Sequence, residues 1–559
     1  MRSFIRPPLC QLLAQRWYSL STASQAHATI TTPIYYVNAE PHIGHLYSSV
    51  LADTLARYHQ LRGSTVTFMT GTDEHGTKIQ QAAHRAETDP LVYCDRIAQR
   101  FKALAQQAHL SHTDFIRTTE PRHTAAVQAF WQRLEAAGVI YKGTYAGWYA
   151  ISDEAFYAPD QVHSVLAADG STQMVATETG AAVEWTEEEN YKFRLGQFIA
   201  PLRHWLETHP DAIQPAGRRL DVLRYLKTHP TGPEGDLSVS RPRSRLAWGI
   251  TVPQDPCHTV YVWLDALVNY LTCTGYPQAT MGFPPTVQVV GKDILKFHAV
   301  FWPAFLLAAG LPLPQRIVAH AHWTLDNHKM SKSRGNVVDP FALLHTYGVD
   351  TVRFFLMRDG GLEYDADFSE ARIVVRYKES LVDQLGNLVS RCAAKAFAPD
   401  FNTFHLTAAW IGRSPADLTA ADNAMVACLD QVAHRAANAY EATNVRQAIA
   451  VVLEAVHRAN KYVTHTEPWN LRKLAASGDD HAQQRLAMVL FLALETARIA
   501  GIVLQPIIPT KASQLLDAIG VPLHRRQWSD AQYGAGWRDD VDHNHLAAAH
   551  TKVIFPRTL

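Results

Sequence analysis

The chain has no acidic residue before Glu40, no C-x-x-C pair, no excess of either charge and no low-complexity tract. Each absence excludes something. The six scattered cysteines (Cys10, Cys94, Cys257, Cys273, Cys392 and Cys428) form neither a dense disulfide framework nor a cysteine-ligated zinc site, and they suit a reducing compartment. Lys+Arg and Asp+Glu stand at 52 each, so any contact with a polynucleotide must come from local patches. No apolar run reads as long enough to span a bilayer, residues 299–309 being short and interrupted by Pro303, and no membrane association is expected. At 559 residues, 47% hydrophobic and 19% charged, the chain exceeds one ordinary core and predicts roughly two to four domains.

What is present begins with residues 29–63. β-Branched and aromatic residues from Thr29 to Val37 read as a strand, and apolar residues at helical spacing from Val50 to Leu61 read as a helix. Asn38-Ala39-Glu40-Pro41 makes a turn between them, and His42-Ile43-Gly44-His45 stands where the helix begins. A helix start gathers unpaired N–H groups and the positive end of the dipole, and two imidazoles there add donors for phosphate oxygens. Gly44, lacking Cβ, lets a flat group such as a nucleobase lie against the backbone. The same tetrad also fits a plain helix cap. Far downstream, Lys329-Met330-Ser331-Lys332-Ser333-Arg334-Gly335-Asn336 follows a short strand at residues 316–320 and precedes a helix near Asp339. Two lysines and an arginine on such a loop can swing onto a triphosphate, or form a solvated basic turn. Together the two stretches resemble, letter for letter, the HIGH and KMSKS signatures of class I aminoacyl-tRNA synthetases.

Residues 65–70 read as a second strand ending at Gly71-Thr72-Asp73-Glu74-His75-Gly76. Strand, helix, strand with a short return favours a parallel sheet, whose ligands gather at the carboxyl ends of the strands. Asp73 then sits at the mouth beside His42, or caps a helix starting near Thr77. Residues 90–139 read as helical. From Gly147 short strands, turns and acids point to an inserted subdomain, and the basic run 240–245 serves either internal salt bridges or tRNA contact. The sheet is expected to resume at residues 259–267 and 286–293. From about Asp350 strand signals fade, and residues 372–503 read as a helical bundle. At the front, Arg2, Arg6 and Arg16 alternate with Phe4, Ile5, Leu9, Leu12, Leu13 and Trp17. That composition fits a mitochondrial transit peptide over residues 1–27, cleaved between Trp17 and Ala28, with the mature chain in the matrix; a disordered N-terminus shares it.

Residues 31–76, 261–270, 291–302 and 320–340 together resemble the methionyl-tRNA synthetase family, and the similarity runs from about Ala28 to the end. Residues 147–157 and Ala247-Trp248-Gly249-Ile250 look most like its mitochondrial and bacterial branch, which lacks the zinc ligands. The resemblance implies an α/β Rossmann-like parallel-sheet catalytic domain in two halves (28–146 and 249–371), a connective subdomain inserted between them without zinc ligands (147–248), and an all-α helical anticodon-binding bundle (372–559). It implies activation of L-methionine by ATP with Mg²⁺ and esterification to tRNA(Met), with no structural zinc, no resident metal and no protein partner. A methionine carboxylate attacks the α-phosphorus and pyrophosphate leaves, so the protein's task is positioning and charge neutralisation.

By the same resemblance His42, His45, Lys329 and Lys332 are the catalytic group. Gly44, Lys292, Asp293, His320, Met330, Ser331 and Ser333 join them around ATP; His320 and His322 could otherwise be read as a metal pair, though a third ligand is missing. Methionine is nearly featureless beyond its backbone and a soft thioether. Its implied pocket is Ile34, Tyr36, Trp263, Ala266, Tyr270, Phe297 and His298, with Asp73 for the ammonium; Trp263 and Phe297 equally suit core packing. In the helical half Asn387 and Arg391 share one helix face and Trp469 opens another segment, an arrangement suited to an unpaired anticodon base. Trp469 as plain core is the alternative. Leucine, isoleucine and valine synthetases carry a long editing domain for which residues 147–248 leave little room. A non-catalytic tRNA-binding relative has no need of two intact signatures, and a small-molecule adenylyl-forming enzyme has no need of the helical half.

Overall fold

A computed structural model describes residues 27–151, 155–157, 161–166, 172–177, 179–330, 336–392, 418–535 and 553–558. The expected transit peptide therefore lies outside the described residues, apart from His27. The centre is an all-parallel sheet of seven strands in the spatial order Ile213–Gln214, Ile317–His320, Val287–Gly291, His27–Thr31, Thr65–Asp73, with Asp114–Arg117 on the far edge of Thr65–Asp73. Tyr35–Tyr36 continues the line of the first strand along the same neighbour, pairing with Thr72 and Asp73. The break falls at Thr32-Pro33, where proline has no N–H to give the ladder. From the first strand the chain steps to Thr65–Asp73 on one side and only later to Val287–Gly291 on the other, Ile30 pairing with both Phe68 and Val287. Strand order thus reverses at the first strand, and a crevice opens there at the carboxyl ends.

Two expectations need correcting. The run 259–267 is not a strand of this sheet: the strand Asp255–Val260 pairs antiparallel with Ser240–Pro242 and Thr251–Val252, and Val262–Leu267 is a helix. A short continuous apolar run does not reveal by period whether it is strand or helix, and tertiary packing decided. The span 90–139, expected helical throughout, contains the strand Asp114–Arg117 between the helices Pro90–Gln107 and Pro121–Ala136.

Within the insertion Ile140–Ala150 pairs antiparallel with Glu184–Phe193, starting ahead of Gly147, while Ile213–Gln214 returns to the central sheet beside Ile317 and Val318. In the basic run, Arg241 is buried, ion-paired to Glu188 and stacked 4.0 Å over Tyr149, which is the internal salt bridge.

Among the described residues, the continuous helical stretch 370–392, ending in Asn387–Cys392, and the helices Ala420–Glu441, Val445–Thr466, Pro468–Ala476, Asp480–Leu504 and Pro509–Ala518 make up the helical half. Its core is continuous with that of the catalytic half, running from Val50 and Leu51 through Phe354 to Val452 and Leu490. Asp480–Leu504 corrects a third expectation, because by length and composition it is apolar enough to cross a bilayer; its whole apolar window is buried inside the bundle. A helix surrounded on every side is hydrophobic all round, and here Glu495 and Arg498 pair at 2.7 Å within it. Across the junction of the two halves, fully buried Arg353 on Val349–Asp359 donates to Asp53 Oδ2 at 2.6 Å and to the carbonyls of Ala108 (3.2 Å), Pro506 (3.0 Å) and Ile507 (2.9 Å).

Candidate active site

A cavity of about 350 Å³ occupies the crevice. The helix Ile43–Leu61 points its start into it. Its cap is built from the tetrad itself: the Gly44 N–H donates to His42 Nδ1 at 3.0 Å, and the His42 N–H donates to His45 Nδ1 at 3.1 Å. Both Nδ1 atoms are acceptors, so in each neutral ring the proton sits on Nε2, where it can be donated. The two rings stack with centroids 3.7 Å apart, and both line the cavity. The same side chains thus build the cap and line the cavity. A Cβ on Gly44 would stand 2.8 Å from His42 Cε1, so the glycine is demanded by the histidine ring as well as by any ligand.

Asp73 ends the strand Thr65–Asp73, is buried and lines the cavity. It does not cap the next helix, since Thr77–Arg85 starts from Gly76 with no side-chain cap bond. Ile34, Tyr36, Trp263, Ala266, Tyr270 and His298 line the same space, Tyr36 being the register partner of Asp73 in the sheet. Phe297 is not in the lining; it stacks behind Trp263 at 3.7 Å and 10° and fixes the indole plane. The Tyr270 hydroxyl donates to His298 Nε2 at 2.8 Å, and His298 Nδ1 reaches the Ile294 carbonyl at 2.9 Å. Burial pushes the His298 pKa down to about 4, so the ring is neutral and its Nδ1–H is the donor to that carbonyl. With these polar atoms satisfied among themselves, the wall offers an apolar aromatic face, which suits a thioether chain.

Elsewhere in the lining His320 Nε2 meets Ser48 Oγ at 2.6 Å and Nδ1 meets the Ala321 carbonyl at 2.8 Å. Burial lowers its pKa to about 4 as well. His322 instead pairs with Asp293 at 3.0 Å, so the two histidines are engaged separately. Asp293 lines the cavity, whereas Lys292 is held by Asp365 at 2.6 Å, outside the lining. Lys329 lies in the short strand His328–Lys329, paired with Thr324, and Met330 packs on the main core. Ser331, Lys332 and Ser333 lie outside the described residues.

The sequence reading missed Tyr35, Ser48, Lys78, Asn269 and Ile294 in the lining, which His322 also joins. Ser48 falls one helical turn after Gly44 and was detectable from that spacing; Lys78, over the Tyr36 ring at 5.4 Å, had no spacing signal. In the helical half Asn387 reaches Asn460 at 3.4 Å, Arg391 reaches Thr464 at 3.2 Å, and the Arg391 guanidinium lies 5.5 Å from the Trp469 ring. The three share one surface, with Trp469 41% exposed.

Residues 28–393 match the family described as tRNA synthetases class I (M), and residues 414–543 match the anticodon binding domain of methionyl tRNA ligase. Among curated relatives, the probable mitochondrial methionine–tRNA ligase of Dictyostelium discoideum is 41% identical over 94% of this chain and 92% of its own length. The mitochondrial methionine–tRNA ligase of Homo sapiens is 44% identical over 94% and 91%. Among solved structures, Mycobacterium tuberculosis methionyl-tRNA synthetase in complex with methionyl-adenylate superposes with a TM-score of 0.82 at 36% identity, covering 91% of this chain and 96% of that one. With both parts matched and nearly the whole length covered, the chain belongs to the methionyl class I tRNA synthetases.

Proposed function

We propose that this chain is a methionine–tRNA ligase of the mitochondrial matrix. It activates L-methionine with ATP, presented with Mg²⁺ as part of the substrate, to methionyl-adenylate and diphosphate, and then transfers the methionyl group to tRNA(Met). Relatives named as mitochondrial methionine–tRNA ligases, and the likeness to a synthetase bound to methionyl-adenylate, support the activity. One observation carries it on this chain: the imidazole pair at the helix start, Asp73 and the aromatic wall all line one cavity. An adenylate is an anion joined to an amino acid, and the lining holds groups suited to each.

In the first step the methionine carboxylate displaces diphosphate from the α-phosphorus. Asp73 holds the ammonium, while Ile34, Tyr36, Trp263, Ala266, Tyr270 and His298 enclose the side chain. His42 and His45 donate through Nε2 to phosphate oxygens at the helix start, where charge spreads in the transition state. Lys329 and Lys332 neutralise the leaving diphosphate, and Gly44, Asp293, His320, Met330, Ser331 and Ser333 complete the nucleotide side. Lys292 contributes through Asp365, which also accepts the His322 N–H at 2.9 Å. In the second step a ribose hydroxyl of the tRNA end attacks the adenylate carbonyl and AMP leaves. The anticodon is read by Asn387, Arg391 and Trp469. The composition of residues 1–27 supports a transit peptide.

ATP–pyrophosphate exchange with each amino acid in turn tests the substrate. Methionine is expected to lead, with some exchange on homocysteine, because one methyl is worth only ~1–3 kcal/mol in such a pocket. Another amino acid in first place overturns the reading.

A further inference from the structure

A buried ionisable cluster beside the cavity takes no part in the chemistry above. Asp265 is wholly buried; His75 Nδ1 lies 2.7 Å from one of its oxygens and His123 Nε2 lies 2.8 Å from the other. His123, also wholly buried, reaches Thr272 Oγ1 at 2.9 Å through Nδ1. Burial works against the charge of Asp265, but His75 and His123 outweigh it and hold the carboxyl below its usual range, so it is an ionised acceptor for two N–H donors.

The cluster joins the two sides of the amino-acid site. His75 follows Asp73 by two positions. Asp265 sits on the helix Val262–Leu267 between Trp263 and Ala266, and Thr272 follows Tyr270 by two positions. His123 belongs to a third element, Pro121–Ala136. None of these elements carries His42 or His45. We propose that Asp265 is a positioning residue for the amino acid: through His75 and His123 it sets the separation between Asp73 and the Trp263–Tyr270 wall. The proposal rests on the cavity being the methionine site. Methionine offers only an ammonium and an apolar chain to grip, so both ends must be held at once, and a small shift of one wall loses the second contact.

The test is ATP–pyrophosphate exchange on the full chain, with methionine and ATP varied separately and thermal unfolding measured alongside. Asp265→Asn keeps the shape but turns one acceptor into an N–H facing an N–H. Its methionine KM is expected to rise about tenfold, the scale of one lost charge-assisted contact, with the ATP KM within about twofold of wild type. Equal rises in both, or an unchanged methionine KM in folded protein, overturn the proposal. If Asp265→Asn does not fold, His123→Gln, which retains an N–H for Asp265, must still raise the methionine KM about threefold, a partial loss of the same contact, and leave that for ATP unchanged. An unchanged methionine KM, or failure of both variants to fold, overturns positioning in favour of plain support. Wild-type exchange in the same assay separates the two readings: absence of methionine exchange there removes the substrate, whereas normal wild-type exchange without the split removes only the role of Asp265.

Discussion

His42 accepts the Gly44 N–H and also faces the cavity, so its removal to alanine mixes a lost cap with a lost phosphate donor. His42→Asn separates them. Asparagine is among the strongest N-cap residues, so the melting temperature should stay within a few degrees of wild type, while the exchange rate should fall by about 10²–10³, the scale of one transition-state donor. An unchanged rate would assign His42 to the cap alone. The buried pair His298 and His320 gives a second expectation. Both have pKa values lowered to about 4 in the fold, against 6.5 ordinarily. Between those limits the unfolded chain takes up protons that the folded chain refuses. Stability is therefore full above about pH 6.5 and is lost as pH falls towards 4, by up to roughly 1.4 kcal/mol per pH unit for each ring. Thermal unfolding followed from pH 7.5 to 4.5, conditions chosen to bracket the window (about one unit beyond the upper limit), should show a falling midpoint, and His298→Gln should lessen the slope. A flat midpoint would mean that neither ring is held neutral.

Three helical elements meet where Arg391 stands over Trp469. The indole is too exposed to be simple core, and a base stacked on it would contribute about 1–3 kcal/mol. Trp469→Ala should lower aminoacylation by one to two orders of magnitude, at about tenfold for each 1.4 kcal/mol, and leave exchange near wild type because adenylate formation needs no tRNA. A large fall in melting temperature would instead mark a packing role, since truncating a buried indole costs ~3–5 kcal/mol. At this scale the sequence was legible wherever a pattern had one cause. The helix start at His42 carries turn, cap and apolar period together, and it lies where that pattern places it. Val287–Gly291, buried throughout and apolar but for Gln288, reads as a strand of the sheet and is one. Legibility failed where neighbours decide. Val262–Leu267 is helical because of what surrounds it, and the four residues Asp114–Arg117 carry too little pattern to be seen between two helices. The site was read through side chains adjacent in the chain; Asp365 and Lys78, brought in by folding, had no local mark.

For the whole molecule, Arg353 is the point where the two halves share one buried charge. Arg353→Ala would leave Asp53 ionised and enclosed, with only Arg57 and the Ser111 groups beside it, and should cost about 3–5 kcal/mol as other broken buried pairs do. Denaturant unfolding followed separately by a probe in each half should show both midpoints falling together; a shift confined to one half would mean that the arginine serves that half alone. The sheet carries a different consequence, one of timing. Its middle strand is among the first parts of the folded chain to be made, yet Thr29 waits for Thr286, 257 positions later, to cover its second edge. At about 5–20 residues per second that wait lasts on the order of tens of seconds. Throughout it the unpaired N–H and C=O groups of a strand edge stand open, the kind of edge on which unfinished chains aggregate. The antiparallel strands of the insertion, near neighbours in sequence, close during the same interval. A newborn copy of this protein therefore spends its first moments as a finished appendage on an unfinished body, with one edge of its middle strand still uncovered.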